Sequence, residues 1–259
     1  MTEIFHGSCA CGGVAFRATG PLRALVACHC GQCRRTSGHF WTATSVPNDR
    51  FKLLRDQTLH WYRSSEAAER GFCNGCGASL FWRPTGEETM HPSPGSFDDP
   101  LGMAISEHIY TEDASDYYAI PGIHPAESSA PERLDCACLC GKVRFSLPGP
   151  AGDITACHCR ECRKLSGHYS AFFPADEASV NWQDRSALAH YQSPDGLTHG
   201  FCNGCGSSLF RRAADGTFAI EAGSVTRPTG GHLVRHVHMA QSEGYDAPED
   251  DLPRFSGGV

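Results

Sequence analysis

Fifteen cysteines fall into two copies of one pattern, CxC, then CxCxxC, then CxxC. Cys9, Cys11, Cys28, Cys30, Cys33, Cys73 and Cys76 recur as Cys138, Cys140, Cys157, Cys159, Cys162, Cys202 and Cys205, each displaced by 129 positions, as Cys9 to Cys138. Thiols one or two residues apart are poorly placed to form disulfides with each other, whereas soft sulfur at this spacing suits a metal ion. Metal ligation, with zinc as the metal, is the chemistry this pattern points to.

The two kinds of motif predict different sites. Cys9/Cys11 with Cys73/Cys76, and Cys138/Cys140 with Cys202/Cys205, each supply four thiolates, which fill a tetrahedral ion and leave no position for substrate. Those sites are expected to be structural, with metal binding coupled to folding. Cys28, Cys30 and Cys33, and again Cys157, Cys159 and Cys162, offer three thiolates within six residues, the layout of an open, catalytic position. The alternative is a closed site completed by His29, His39, His158 or His168. Up to four zinc ions per chain follow. A tri-thiolate ion is a weak Lewis acid for making hydroxide but is suited to holding an exogenous thiol as thiolate, so thiol addition to a small electrophile is the favoured reaction class.

These motifs must be positioned by short elements. Alternating segments such as Val14-Ala15-Phe16-Arg17, Val143-Arg144-Phe145-Ser146 and Ser79-Leu80-Phe81-Trp82 are bounded by Gly and Pro and read as strands, and no long amphipathic helical stripe is present. The fold class is mainly β, with ligands on knuckle turns and strand ends where Gly12, Gly77, Gly141 and Gly206 follow cysteine. The offset becomes 128 by Gly95/Gly223 and stays so at His108/His236 and Tyr117/Tyr245, as a one-residue loop deletion would produce. Two tandem domains, 1–122 and 135–259, are expected on either side of a Pro-, Ala- and Ser-rich linker at 123–134. His108 and His236 are assigned to strands, Phe40, Trp41, Phe172 and Phe173 to β cores, and Cys136, which has no counterpart in the first copy, to a spare thiol.

The formal charge of −7, more negative still with thiolates loaded with zinc, disfavours a nucleic-acid partner. The opening residues carry neither a basic nor an apolar leader region, and no apolar run approaches the ~18 residues a membrane span needs. A cytoplasmic protein without membrane association is expected, its oligomeric state open.

SCACGGVAF, CHCGQCRRTSG, FCNGCGASLF, GSFDDP and HIY, followed by CLCGKVRF, CHCRECRKLSG, FCNGCGSSLF, AGSV, HVH and DDLPRF, resemble the signature blocks of the glutathione-dependent formaldehyde-activating enzyme family, in order and twice over. The resemblance implies a tent-like β fold shared with Mss4-type zinc proteins, structural zinc on the outer cysteines and catalytic zinc on Cys28, Cys30 and Cys33 and on Cys157, Cys159 and Cys162. It also implies a carbon-sulfur lyase activity, with glutathione or a similar thiol and formaldehyde as partners and S-hydroxymethylglutathione as adduct. Arg34 and Arg163, each beside a second basic residue, either pair with the carboxylates of such a thiol or are solvated basic pairs on a turn, and Ser37, His39, Ser166 or His168 either manages its proton or is structural. The first copy lacks the DxLPxF ending present at Asp251 to Phe255 in the second, and Tyr117 and Tyr245 stand where the family usually has Trp. A noncatalytic zinc scaffold binding a protein is the competing reading.

Overall fold

The structure, a computed structural model, describes residues 3–124, 129–226 and 228–258. It is mainly β, as the alternation implied: the strand Val14–Thr19 buries Val14, Phe16 and Ala18 and turns Arg17 to solvent. In the first half Ile4–Ser8, Val14–Thr19 and Phe51–Asp56 form one antiparallel sheet, and Leu59–Ser65, Ala68–Cys73, Ser79–Pro84 and Thr89–Pro92 follow one another in a second. A third places Leu25–Cys28 between Ile105–Ile109, parallel to it, and Trp41–Ala43. The second half repeats this plan, but there Ser170–Pro174 also pairs with Phe218–Glu221 and fuses the last two sheets into one of seven strands.

Two seven-residue helices were not anticipated from the sequence. α1 (Gly31–Ser37) and α2 (Arg160–Ser166) start directly after Cys30 and Cys159, so the last cysteine of each CxCxxC lies in a first helical turn rather than on a knuckle. Each ends at a left-handed glycine, Gly38 (φ 87°) or Gly167 (φ 86°), whose N–H returns to the carbonyl of Arg34 or Arg163. Segments this short have no helical stability of their own and are held by what they pack against.

Each helix packs largely against the other half. Gly95 N–H donates to Gly167 O across 2.9 Å, and Gly223 N–H donates to Gly38 O across 2.7 Å, so the turn of each half docks on the helix end of the other. Leu165 of α2 joins the first half's core, while Ala27, Phe40, Tyr117, Tyr118 and Ile120 join the second's. Lys164 Nζ, nearly buried, donates to Ser8 O, Ser96 O and Asp98 Oδ1 at 3.0, 2.9 and 2.7 Å. Such reciprocity is the logic of a two-fold interface, here written within one chain. Of the expected 123–134 linker, residues 125–128 lie outside the described residues. Its flanks are not loose chain: Ile120 and Ile123 bridge each other, and Leu134 is already buried in the strand Arg133–Ala137.

Candidate metal centres and the clefts beside them

The four-cysteine groups assemble as their spacing implied. Cys9, Cys11, Cys73 and Cys76 place their sulfurs within 4.8 Å of one another, and so do Cys138, Cys140, Cys202 and Cys205. Sulfurs about 2.3 Å from one tetrahedral zinc ion lie at comparable separations. Backbone N–H groups of Val14 and Val143 donate to Cys9 Sγ and Cys138 Sγ at 3.2 Å. The knuckle glycines take left-handed φ (75° at Gly12, 77° at Gly77 and Gly206), which lets the chain fold back over the sulfurs.

Charge argues for a cation. Hydrogen bonds from Cys76 and Cys9 pull Cys73 down to about 2, whereas Cys76 is pushed up by its bonds to Cys11 and Cys73. The three-cysteine groups behave alike: bonds from Cys28 and Cys33 bring Cys30 to about 2, bonds from Cys157 and Cys162 bring Cys159 to about 3, and Cys28 and Cys157 are pushed up. In each group some sulfurs ionise at their neighbours' expense, Cys11 as well as Cys73 in the first, and a full set of thiolates requires a positive ion among them. The donor sets therefore fit metal ions.

Cys28, Cys30 and Cys33 have sulfurs within 4.8 Å of one another, as do Cys157, Cys159 and Cys162, and no histidine or carboxylate joins either group among the described residues. Each triad comes from a strand end, a helix cap and a first helical turn. The four candidate closing histidines turn elsewhere. His29 Nδ1 bonds Tyr118 Oη at 2.8 Å and its Nε2 bonds His108 Nδ1 at 2.9 Å; His158 bonds Asp246 at 3.0 Å and His236 at 2.9 Å. His39 bonds Tyr117 Oη, and His168 bonds Tyr245 O. Burial pushes His29 and His168 down to about 3, so they stand as neutral rings between the halves. Ser37 and Ser166 donate to Cys33 O and Cys162 O, capping helix carbonyls rather than touching sulfur.

Both triads line open clefts. The first, about 760 Å³, is walled by Trp41, Trp82, Arg70 and His91; the second, about 730 Å³, by Phe172, Tyr191, His199 and Arg211. Arg34 and Arg163, expected to meet a ligand's carboxylates, line neither. Both sit on the buried face of their helix, about 100° round from the cysteine that precedes them. Arg163 donates to His158 O, Glu243 Oε1, Tyr245 Oη and Gln241 O at 2.5–3.2 Å, which ties the C-terminal segment to α2. The cations at the sulfurs are Arg70, whose Nη2 lies 3.3 Å from Cys33 Sγ, and Arg211, whose Nη1 lies 3.5 Å from Cys162 Sγ. Sequence reasoning missed both, because they stand on the hairpin strands around CxxC rather than near CxCxxC.

Trp41 and Phe172 are cleft walls as well as core neighbours, while Phe40 and Phe173 are buried in the core. His108 and His236 lie in strands. Cys136 is 2 % exposed, belongs to no metal group, and burial raises its thiol to about 12. No helix is long and apolar enough to cross a membrane among the described residues.

A family model described as glutathione-dependent formaldehyde-activating enzyme matches residues 4–113 and again 133–241. An uncharacterized lyase of Schizosaccharomyces pombe is 30% identical over 115 residues, covering 44% of this chain and 83% of the relative. A crystal structure of a Rhodobacter sphaeroides protein is similar over 38% of this chain and 99% of its own, with 19% identity and a TM-score of 0.31. With the two matched segments spanning most of its length, the chain belongs to the glutathione-dependent formaldehyde-activating enzyme family.

Proposed function

We propose that this chain is a zinc-dependent carbon-sulfur lyase that joins a small thiol to a small aldehyde, with glutathione and formaldehyde as the first candidates. The observation that carries the reading is the contrast between the two kinds of cysteine group: four sulfurs closed on themselves in one, three sulfurs opening on a cleft with no fourth protein ligand among the described residues in the other. Cys28, Cys30 and Cys33, and Cys157, Cys159 and Cys162, would hold the ion in these open sites. Zinc bound there lowers the pKa of a thiol ligand while leaving its sulfur nucleophilic.

The chain's own groups do the rest. Arg70 and Arg211 draw charge from Cys33 and Cys162 by hydrogen bonding to their sulfurs. Trp41 and Trp82 in one cleft, and Phe172 in the other, supply apolar walls against which the adduct can pack. Each cleft also contains an imidazole kept neutral by burial, His91 and His199, both pushed down to about 4, which leaves them as uncharged polar rings and weak bases at neutral pH. The thiol loses its proton to solvent; the sulfur forms a bond to the carbonyl carbon, and the carbonyl π pair moves to oxygen, which takes a proton from water of the open cleft. The reverse sequence breaks the carbon-sulfur bond.

The test is exchange NMR of the adduct rate with glutathione and formaldehyde. Zinc-loaded protein should accelerate the reaction, and the double variant Cys30→Ala, Cys159→Ala should lose the acceleration while keeping its fold. Zinc-loaded protein that binds no thiol and leaves the rate unchanged would refute the enzyme reading and favour a scaffold.

A further inference from the structure

The two clefts differ in a way their shared motifs conceal. In the first half the cross-strand pair flanking the cysteines is Arg70 opposite Trp82; the equivalent pair in the second is His199 opposite Arg211. The arginine has changed strands, yet in each half its guanidinium reaches the last cysteine of the triad. Arg70 also lies against the Trp41 ring at 5.9 Å, and Arg211 against Phe172 at 3.9 Å.

Their charges are balanced differently. Arg211 Nε and Nη2 donate to Glu221 Oε1 at 3.0 and 2.5 Å, and Ser170 Oγ donates to Glu221 Oε2 at 2.5 Å. Glu221 faces Gly38, and its counterpart facing Gly167 is Ser93, so the first half has no carboxylate at that position. Arg70 is only 4 % exposed, its Nε is buried without a hydrogen-bond partner, and it makes no ion pair with a carboxylate among the described residues. The cations nearer the rim follow suit. Arg23 and Arg35 of the first cleft donate to the carbonyls of Ala43 and Gly31, whereas Arg160 and Lys164 of the second are paired with Asp98. Asp113 lines the first cleft, and Glu161 and Asp195 line the second, where Arg235 donates to Thr155 Oγ1.

With no carboxylate against it, the Arg70 guanidinium has only the sulfurs of Cys33, Cys30 and Cys28 to balance its charge, and it keeps hydrogen-bonding capacity for an anion that enters the cleft. Its fork fits a carboxylate, and the first cleft is open enough to admit one beside the sulfurs. We propose that the first cleft is an anion site, in which Arg70 receives the carboxylate of a small ligand bound at Cys28, Cys30 and Cys33. The second cleft, whose arginine is already neutralised by Glu221, takes uncharged ligands. The two centres of one chain thereby serve different substrates: an acidic thiol at the first and a neutral one at the second. The thiol part of this assignment rests on the proposed function; the carboxylate part does not.

Calorimetric titration of the zinc-loaded chain with mercaptoacetate and with 2-mercaptoethanol, thiols of nearly equal size, tests it. Mercaptoacetate should show one tight equivalent per chain, about 10- to 100-fold tighter than 2-mercaptoethanol at that centre, the factor expected of a charge-assisted hydrogen bond. Arg70→Gln should remove the preference, and the isosteric Glu221→Gln, which frees Arg211, should create a second tight equivalent. Equal affinities for the two thiols, or a preference that survives in folded Arg70→Gln, would overturn the proposal. Should Arg70→Gln fail to fold, Glu221→Gln decides alone: no second equivalent counts against it. Acetate separates the two readings, since acetate binding that perturbs wild-type NMR signals at the first cleft, with neither thiol binding, would sink the thiol chemistry and leave the anion site standing. Absence of acetate and mercaptoacetate binding alike would sink the anion site.

Discussion

Replacing Gly95 by alanine should loosen the docking of the two halves. A Cβ there would lie 2.1 Å from Arg163 O and 2.8 Å from the carbonyl carbon of Gly167, where ordinary contact begins at 3.4 Å. Both obstacles are backbone atoms at the end of α2, so no side-chain rotation relieves them, and the turn Pro94–Ser96 must retreat from the other half. Overpacking of this kind costs about 1–3 kcal/mol. Stretching the Gly95 N–H to Gly167 O bond forfeits about 0.5–1.5 kcal/mol more. The backbone at Gly95 has no left-handed φ, so alanine also returns about 0.4–1 kcal/mol by stiffening the unfolded chain. The net is about 0.5–4 kcal/mol, against the ~5–15 kcal/mol that holds a domain folded. Gly223→Ala should act alike, its Cβ falling 2.4 Å from Arg34 O, and the double variant should lose less than the sum, because halves already parted by one substitution accommodate the other. Denaturant unfolding followed by tryptophan fluorescence measures this, with Trp41, Trp61 and Trp82 reporting on the first half and Trp182 on the second. Gly257→Ala, where nothing lies within 4 Å, is the control. A Gly95→Ala protein within about 0.5 kcal/mol of that control, the scatter of a neutral surface substitution, would refute the latch.

The cysteine clusters were legible because ligand spacing is local: CxC, CxCxxC and CxxC state which sulfurs neighbour each other, and the exact repeat pairs the distant ones. Strand character was legible at Val14 to Arg17 for the same reason, since a period of two shows within four residues. The helices α1 and α2 were not. Seven residues, GQCRRTS in α1 and RECRKLS in α2, are too few to carry a stripe, and what makes them helical is contact with the other half. Arg34 and Arg163 misled because proximity in sequence to a ligand cysteine says nothing about the direction a helical side chain takes. Arg70 and Arg211 did leave a trace, as ERGFC beside THGFC and FWR beside FRR, yet reading it required knowing that positions 70 and 82 face each other across a hairpin. The inter-half packing left least, because a surface that is complementary only to another part of the same fold has no periodicity to announce it.

The division of labour among cysteines can be read by native mass spectrometry and thermal unfolding: wild type should carry four zinc ions, Cys73→Ala or Cys202→Ala should melt its half, and Cys30→Ala or Cys159→Ala should lose one ion with little change in melting. Equal destabilisation by both sets would contradict it. Lys164→Met should destabilise the chain by about 1–3 kcal/mol, less than the ~3–5 for breaking a fully buried pair because Asp98 is partly exposed, and a neutral result in chemical denaturation would count against its bridging role. The same contact sets a pH dependence whose sign can be worked out. Burial works to raise Asp98, but the hydrogen bond and charge of Lys164, with Ser8 and Arg160, prevail and hold its carboxyl below the ordinary 3.8. A carboxylate depressed on folding contributes stability that is full above its unfolded pKa of about 3.9 and is lost as pH falls through the folded value. Unfolding midpoints measured from pH 6 downward should therefore decline below about pH 4, and the decline should be shallower in Lys164→Met, where the largest force lowering Asp98 is gone. Parallel declines in the two proteins would mean that acid sensitivity arises elsewhere and that Lys164 does not hold Asp98 ionised across the join between the halves.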